Sequence, residues 1–106
     1  MDRLSIVQPF GILDGKQAGP FRQEVSDQVQ SGMQHILVDF QDVSFMDSSG
    51  LGALVLALKT ARSAGAKLYL CSINDQVKML FDLTSMDRVF EIYPDQESFM
   101  EHFNSL

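Results

Sequence analysis

The chain has 106 residues, 45% of them hydrophobic and 21% charged, which is apolar material for one core and one domain and excludes a disordered or fibrous protein. Fourteen acidic against eight basic residues leave a net charge of −6, which repels nucleic-acid phosphates and anionic lipid head groups and points to a protein or small-molecule partner. No apolar run reaches the roughly 20 residues of a membrane span, and Met1-Asp2-Arg3-Leu4 has no basic stretch leading into an apolar block. A cytoplasmic monomer, folded as one domain over residues 1–106, is expected. The lone Cys71 forbids an internal disulfide and lies in the apolar run Lys67-Leu68-Tyr69-Leu70-Cys71, where a thiol packs as a small hydrophobe. His35 and His102 have no second His or Cys at ligand spacing, so neither a metal nor a cofactor is expected.

In chain order, Leu4 to Gln8 and Phe10 to Leu13 read as two short strands separated near Pro9, a small antiparallel start. Phe21, Val25, Val29 and Met33 recur every four positions, one stripe of a helix that begins between Lys16 and Pro20 and stops at Gly32. The continuous apolar run His35 to Phe40 has the pattern of a central strand covered on both faces. Residues Asp42 to Ser49 read as a loop. Gly50 to Leu58 is apolar nearly all round and turns polar at Lys59, Thr60, Arg62 and Ser63, a deeply packed helix with Gly65 as its stop. A strand over Lys67 to Ser72 follows, and Asn74 then caps a helix carrying Val77, Leu80 and Phe81 on one side. Val89 to Ile92 is a last short strand, and Pro94-Asp95 opens a fourth helix with Phe99, Phe103 and Leu106 on one face. This alternation implies an α/β fold, a mixed and mostly parallel sheet of about five strands flanked by about four helices, with right-handed crossovers.

Functional groups in such folds collect on loops at the carboxyl ends of strands, beside helix N-termini. Here that segment reads Phe45-Met46-Asp47-Ser48-Ser49-Gly50-Leu51-Gly52. An aspartate and two serines before a helix are first of all caps, offering oxygens to free backbone N–H groups. Yet Gly50 and Gly52 each lower helix propensity by about 1 kcal/mol relative to Ala, and they leave the backbone open to a close-approaching partner or reactant. Several enzymatic readings fail at this segment. A serine-hydrolase elbow needs Gly-x-Ser-x-Gly, and Met46 and Asp47 stand two residues before the serines. A phosphate-binding loop needs Gly-Lys-Ser/Thr, and Gly52 is followed by Ala53 and Leu54. What remains is a serine at a helix start without catalytic residues of its own, the description of another enzyme's substrate.

The run Val43-Ser44-Phe45-Met46-Asp47-Ser48-Ser49-Gly50-Leu51-Gly52 resembles the signature of bacterial anti-sigma factor antagonists, in the STAS domain family. The resemblance covers nearly the whole chain. Gly11-Ile12-Leu13-Asp14 is similar to the family's early Gly-x-Leu-Asp, His35 to Phe40 to its central strand, and Cys71-Ser72-Ile73 with Val77 to Phe81 to its later strand and helix. It implies a mixed sheet flanked by helices and a role in transcription regulation by partner switching. The first serine after the aspartate, here Ser48, would be phosphorylated by a partner that is both serine kinase and anti-sigma factor, with ATP bound by the kinase. A metal-dependent serine phosphatase would reverse it, and the unphosphorylated protein would bind the kinase and free the sigma factor. The family often has Glu where this chain has Ile12, and Gly near the end of the third helix where this chain has Thr84-Ser85-Met86.

On this reading Ser48 is the phosphoacceptor, Ser49 a cap or packing residue, and Asp14, Asp47, Ser49 and Gly50 the surrounding partner-binding set. Asp14 and Asp47 read equally as ordinary turn carboxylates. A phosphate adds about −1.5 to −2 charges, placed at a helix N-terminus that favours them and beside carboxylates that do not. Two alternatives stand. A STAS module can instead bind a ligand or a scaffold. A phosphoaspartate receiver is suggested by Asp39 at the end of Ile-Leu-Val-Asp, but a receiver needs an early acidic pair to hold Mg²⁺ and a late lysine. The first strand leads to Pro9-Phe10-Gly11, and no lysine follows Lys78.

Overall fold

In the computed structural model, which describes residues 3–105, the two opening strands do not pair with each other. β1 (Leu4–Val7) runs parallel to a strand some thirty residues on, and so does β2 (Phe10–Leu13), each in a different sheet. The expected antiparallel start is therefore corrected. A two-residue hairpin loop needs left-handed backbone at its first position or at both, and Gln8-Pro9, whose proline is locked at negative φ, supplies neither.

After β2 comes α1 (Gly15–Gln30), and Asp14 caps it by accepting from the N–H groups of Lys16 at 3.0 Å and Gln17 at 3.3 Å. That cap starts the helix earlier than its apolar stripe suggests, so Pro20 sits in the second turn rather than the first. Gly32, at φ +87°, makes the expected left-handed stop. β3 (His35–Asp39) then lies between β1 and β5 (Lys67–Cys71), with β6 (Glu91–Tyr93) beyond, in the order β1-β3-β5-β6 and parallel throughout. All five residues of β3 are buried. Ile36 and Val38 enter one core with Phe21, Val25, Leu54, Ala57 and Phe81, while Leu37 enters a second core with Tyr69, Cys71 and Phe99. A strand covered on both faces needs apolar residues at every position, which is why this run carries no alternation.

β4 (Asp42–Met46) occupies most of the expected loop. It pairs in parallel with β2, and the register slips between Gly11 and Ile12 so that Ser44 has no opposite number. That bulge breaks the two-residue alternation by which a strand is recognised.

α2 (Ser48–Ser63) buries Gly50, Leu51, Ala53, Leu54, Ala57, Leu58 and Ala61, and Gly65 at φ +77° follows it. α3 (Asp75–Thr84) is capped by Asn74, whose side chain accepts from the Val77 N–H at 2.9 Å, and ends on Ser85 in left-handed backbone. β6 begins later than Val89 because Met86–Arg88 form a 3-10 turn, and the Met86 carbonyl accepts from both Val89 and Phe90. α4 (Gln96–Asn104), capped by Asp95, closes the second core with Phe99 and Phe103. Leu106 lies outside the described residues. The sheet is thus sandwiched, α1, α2 and α3 covering one face and α4 the other.

Candidate functional site at the start of α2

β2 and β4 run parallel with Leu13 opposite Met46, and each leads through a single aspartate into a helix. The two helix starts therefore lie side by side. The Asp47 N–H reaches the Leu13 carbonyl at 3.4 Å, and the Ser49 Oγ is 3.9 Å from where a Cβ on Gly15 would stand. The sequence-predicted set of Asp14, Asp47, Ser48, Ser49 and Gly50 is brought together at this one edge.

Their roles divide differently from expectation. The cap of α2 is Asp47, whose Oδ1 accepts from the Gly50 N–H at 3.0 Å, and not Ser49, which is the second residue of the helix and exposed. A carboxylate one residue before the helix has both the reach and the charge to hold the free N–H groups there. Asp14 does the same for α1. Ser48 is left as the first helical residue, exposed and released from any capping duty.

Gly50 is buried, and the neighbour that needs it bare is the protein itself. A Cβ there would run into the Leu13 carbonyl oxygen and stand 2.8 Å from the Met46 Cγ. Gly52 differs: nothing lies within 4 Å of its would-be Cβ. One turn after Ser48 and on the same face, it leaves bare backbone beneath the serine.

Leading up to this edge, the outward face of β2 and β4 is apolar. Phe10 is 80% exposed, and Ile12 and Phe45, register partners, are 53% and 46% exposed. Met79 and Leu83 on α3 are exposed as well. Ile12 and Phe45 stand side by side, an exposed apolar pair of the kind found on interaction surfaces.

The other candidate groups lie elsewhere. His35 shares a 2.9 Å hydrogen bond with the Tyr69 hydroxyl and packs edge-on against Phe103, and His102 lies beside Tyr93, so both histidines belong to the α4 layer. Asp39 is wholly buried and opposite Cys71, out of reach of a phosphodonor, which removes the receiver alternative. Burial foremost, and then the Asp39 charge, pushes the Cys71 thiol up to about 12, so it is a core residue and not a nucleophile. Among the described residues no three His, Cys, Asp or Glu side chains gather as a metal cage, and no helix is long and apolar enough to cross a membrane.

Sequence reasoning missed two residues that shape this edge. Gln76 and Asn74, from the start of α3, reach across to β4: the Met46 N–H donates to Gln76 Oε1 at 2.8 Å, Gln76 Nε2 donates back to the Met46 carbonyl at 2.8 Å, and Asn74 Nδ2 donates to the Val43 and Ser44 carbonyls, each at 3.1 Å. Asn74 was visible as a cap. Nothing local signals that either amide serves a strand thirty residues earlier.

A family model described as STAS domain matches residues 1–99. An anti-sigma F factor antagonist of Paenibacillus polymyxa is 28% identical over 92 residues, 86% of this chain and 79% of that protein. An anti-sigma-B factor antagonist of Staphylococcus aureus is 29% identical over 91 residues, 86% of this chain and 84% of that protein. Among solved structures, the anti-sigma factor antagonist SpoIIAA superposes in its unphosphorylated form with a TM-score of 0.75 at 18% identity, covering 100% of this chain and 94% of that one. Its phosphorylated form, from Bacillus, gives 0.71 at 20% identity, covering 95% and 92%.

Proposed function

The chain belongs to the STAS domain family, and from that premise we propose that it is an anti-sigma factor antagonist switched by phosphorylation of Ser48. Unphosphorylated, it docks on an anti-sigma factor that is also a serine kinase and so frees the sigma factor. The kinase binds the ATP and supplies the catalytic groups, this chain supplies the hydroxyl, and a metal-dependent serine phosphatase restores it. The observation that carries the reading is the exposed Ser48, first in α2 while Asp47 does the capping. Asp14, Asp47 and Ser49 rim it, Gly50 sets its depth by letting α2 close on β2, and the apolar face of Phe10, Ile12 and Phe45 gives the partner something to cover.

The physics favours a switch that does not refold the domain. A phosphate at the helix start gains from the partial positive charge there, roughly 0.3–1 kcal/mol, so the free domain tolerates it. A docked partner must instead take about −1.5 to −2 charges out of water beside two carboxylates, which opposes the complex.

The test begins with copurification on the tagged protein and mass spectrometry to recover the kinase. With that kinase and Mg-ATP, one phosphate is expected on Ser48 and none on the Ser48→Ala protein. Ser48→Asp should bind the kinase about ten-fold more weakly and melt close to the parent. Phosphate on Ser49 or Asp39, or undiminished incorporation in Ser48→Ala, overturns the assignment. So does a Ser48→Asp protein that melts far lower yet binds as tightly, since Ser48 would then be a structural residue.

A further inference from the structure

Within a β-strand the N–H and C=O of one residue point to the same edge, and those of its neighbours to the other. Among the described residues β4 pairs with one strand, β2, to which the Asp47 N–H also points, so the groups of Met46 face an edge with no strand on it. Met46 is itself fully buried. A backbone pair left there without partners would cost as much as two lost hydrogen bonds. The Gln76 carboxamide fills the place of the missing strand, presenting one acceptor and one donor at 2.8 Å each, and Asn74 holds the two carbonyls at the bulge. Met46 is two residues before Ser48. The only turn between them is Asp47, whose N–H is tied to Leu13 and whose carboxylate is tied to Gly50.

We propose that Gln76 is a positioning residue for the phosphoacceptor: its carboxamide, acting as a one-residue strand, fixes the end of β4 and through Asp47 sets where the Ser48 hydroxyl stands over the first turn of α2. The role deepens the reading of Ser48 as acceptor and rests on it. It belongs to the side chain of Gln76 and not to α3 at large, because Asn74 already anchors the helix to β4 at a separate pair of carbonyls and Val77 and Phe81 bury its inner face.

The experiment replaces the hydroxyl with a reporter that needs no kinase. In Ser48→Cys the new thiol stands at a helix N-terminus, which lowers a thiol, and beside the Asp14 and Asp47 carboxylates, which raise it, so its midpoint depends on where the group stands, while the buried Cys71 gives no background. Alkylation by iodoacetamide across pH then reads the midpoint of that thiol, and amide exchange by NMR reads the Met46 N–H. Adding Gln76→Met, of similar shape but without donor or acceptor, should shift the midpoint by about half a unit or more and speed Met46 exchange at least ten-fold. Adding Gln76→Asn, which keeps a neutral carboxamide but is one methylene too short to hold both bonds to Met46, should place the midpoint and the exchange rate between the other two. Circular dichroism confirms that each variant is folded, and if Gln76→Met is not, Gln76→Asn against the parent carries the test. Equal midpoints across the series overturn the positioning role, whatever the Met46 exchange does. A failure of Ser48 as acceptor would appear separately, as phosphate retained in Ser48→Ala, with the thiol series unchanged.

Discussion

β3 and β4 are strands of five residues each, separated by only Phe40 and Gln41, and they are stabilised in opposite ways. β3 has main-chain ladders on both sides and all five residues buried; β4 has one ladder, a bulge, and only Val43 and Met46 buried. The first is held by apolar burial that its own sequence supplies. The second is held on its outer edge by side chains from elsewhere, the amides of Asn74 and Gln76, and its outward face stays apolar and exposed. The domain separates the strand that stabilises from the strand that presents.

The sharpest way to break this contrast is on β3. Leu37 is fully buried in the core beneath α4, and Leu37→Ala should cost about 2–5 kcal/mol in urea unfolding while leaving the pH profile of the Ser48→Cys thiol unmoved in the folded fraction. A cost near zero would show that β3 is not the spine. Next in size is Gly50→Ala, where the added methyl meets the Leu13 carbonyl, a backbone atom that cannot step aside; overpacking of that kind should cost about 1–3 kcal/mol. A stability unchanged from the parent would mean that the two strand ends can part. The smallest effect has the opposite sign. Gly52→Ala has open space around it, and removing a glycine from an exposed helix position should raise stability by up to about 1 kcal/mol, measured as a higher urea midpoint.

The same contrast explains how much could be read from the sequence. β3 was legible because Ile36-Leu37-Val38 is its own evidence of burial on both faces. The helices were legible from their stripes and their stops at Gly32 and Gly65, with starts less so where a cap such as Asp14 precedes the first apolar residue by a full turn. β4 was not legible, since a strand with a bulge at Ser44 and a polar staple from Gln76 has no pattern of its own. The pairing of β1 and β2 was misjudged because proximity in sequence suggests a hairpin, and only Pro9 argues against one. At the site, the segment could be singled out by its place between strand and helix, and Ser48 was proposed within it chiefly through resemblance. Which of three consecutive capping-type residues does the capping could not, because Asp47, Ser48 and Ser49 differ by one position along the helix and only the direction of the chain entering it decides.

That every strand pairing in the described residues is parallel has a kinetic consequence. Leu4 meets His35, Phe10 meets Asp42, His35 meets Lys67 and Tyr69 meets Glu91, so each of these ladders must close a loop of more than twenty residues, at an entropic cost that a two-residue hairpin never meets. None of these ladders can therefore nucleate at a local hairpin turn. During synthesis β3 has no second neighbour until Cys71 has left the ribosome, by which time the site around Ser48 is already fully emerged yet still without the α3 amides that complete its frame.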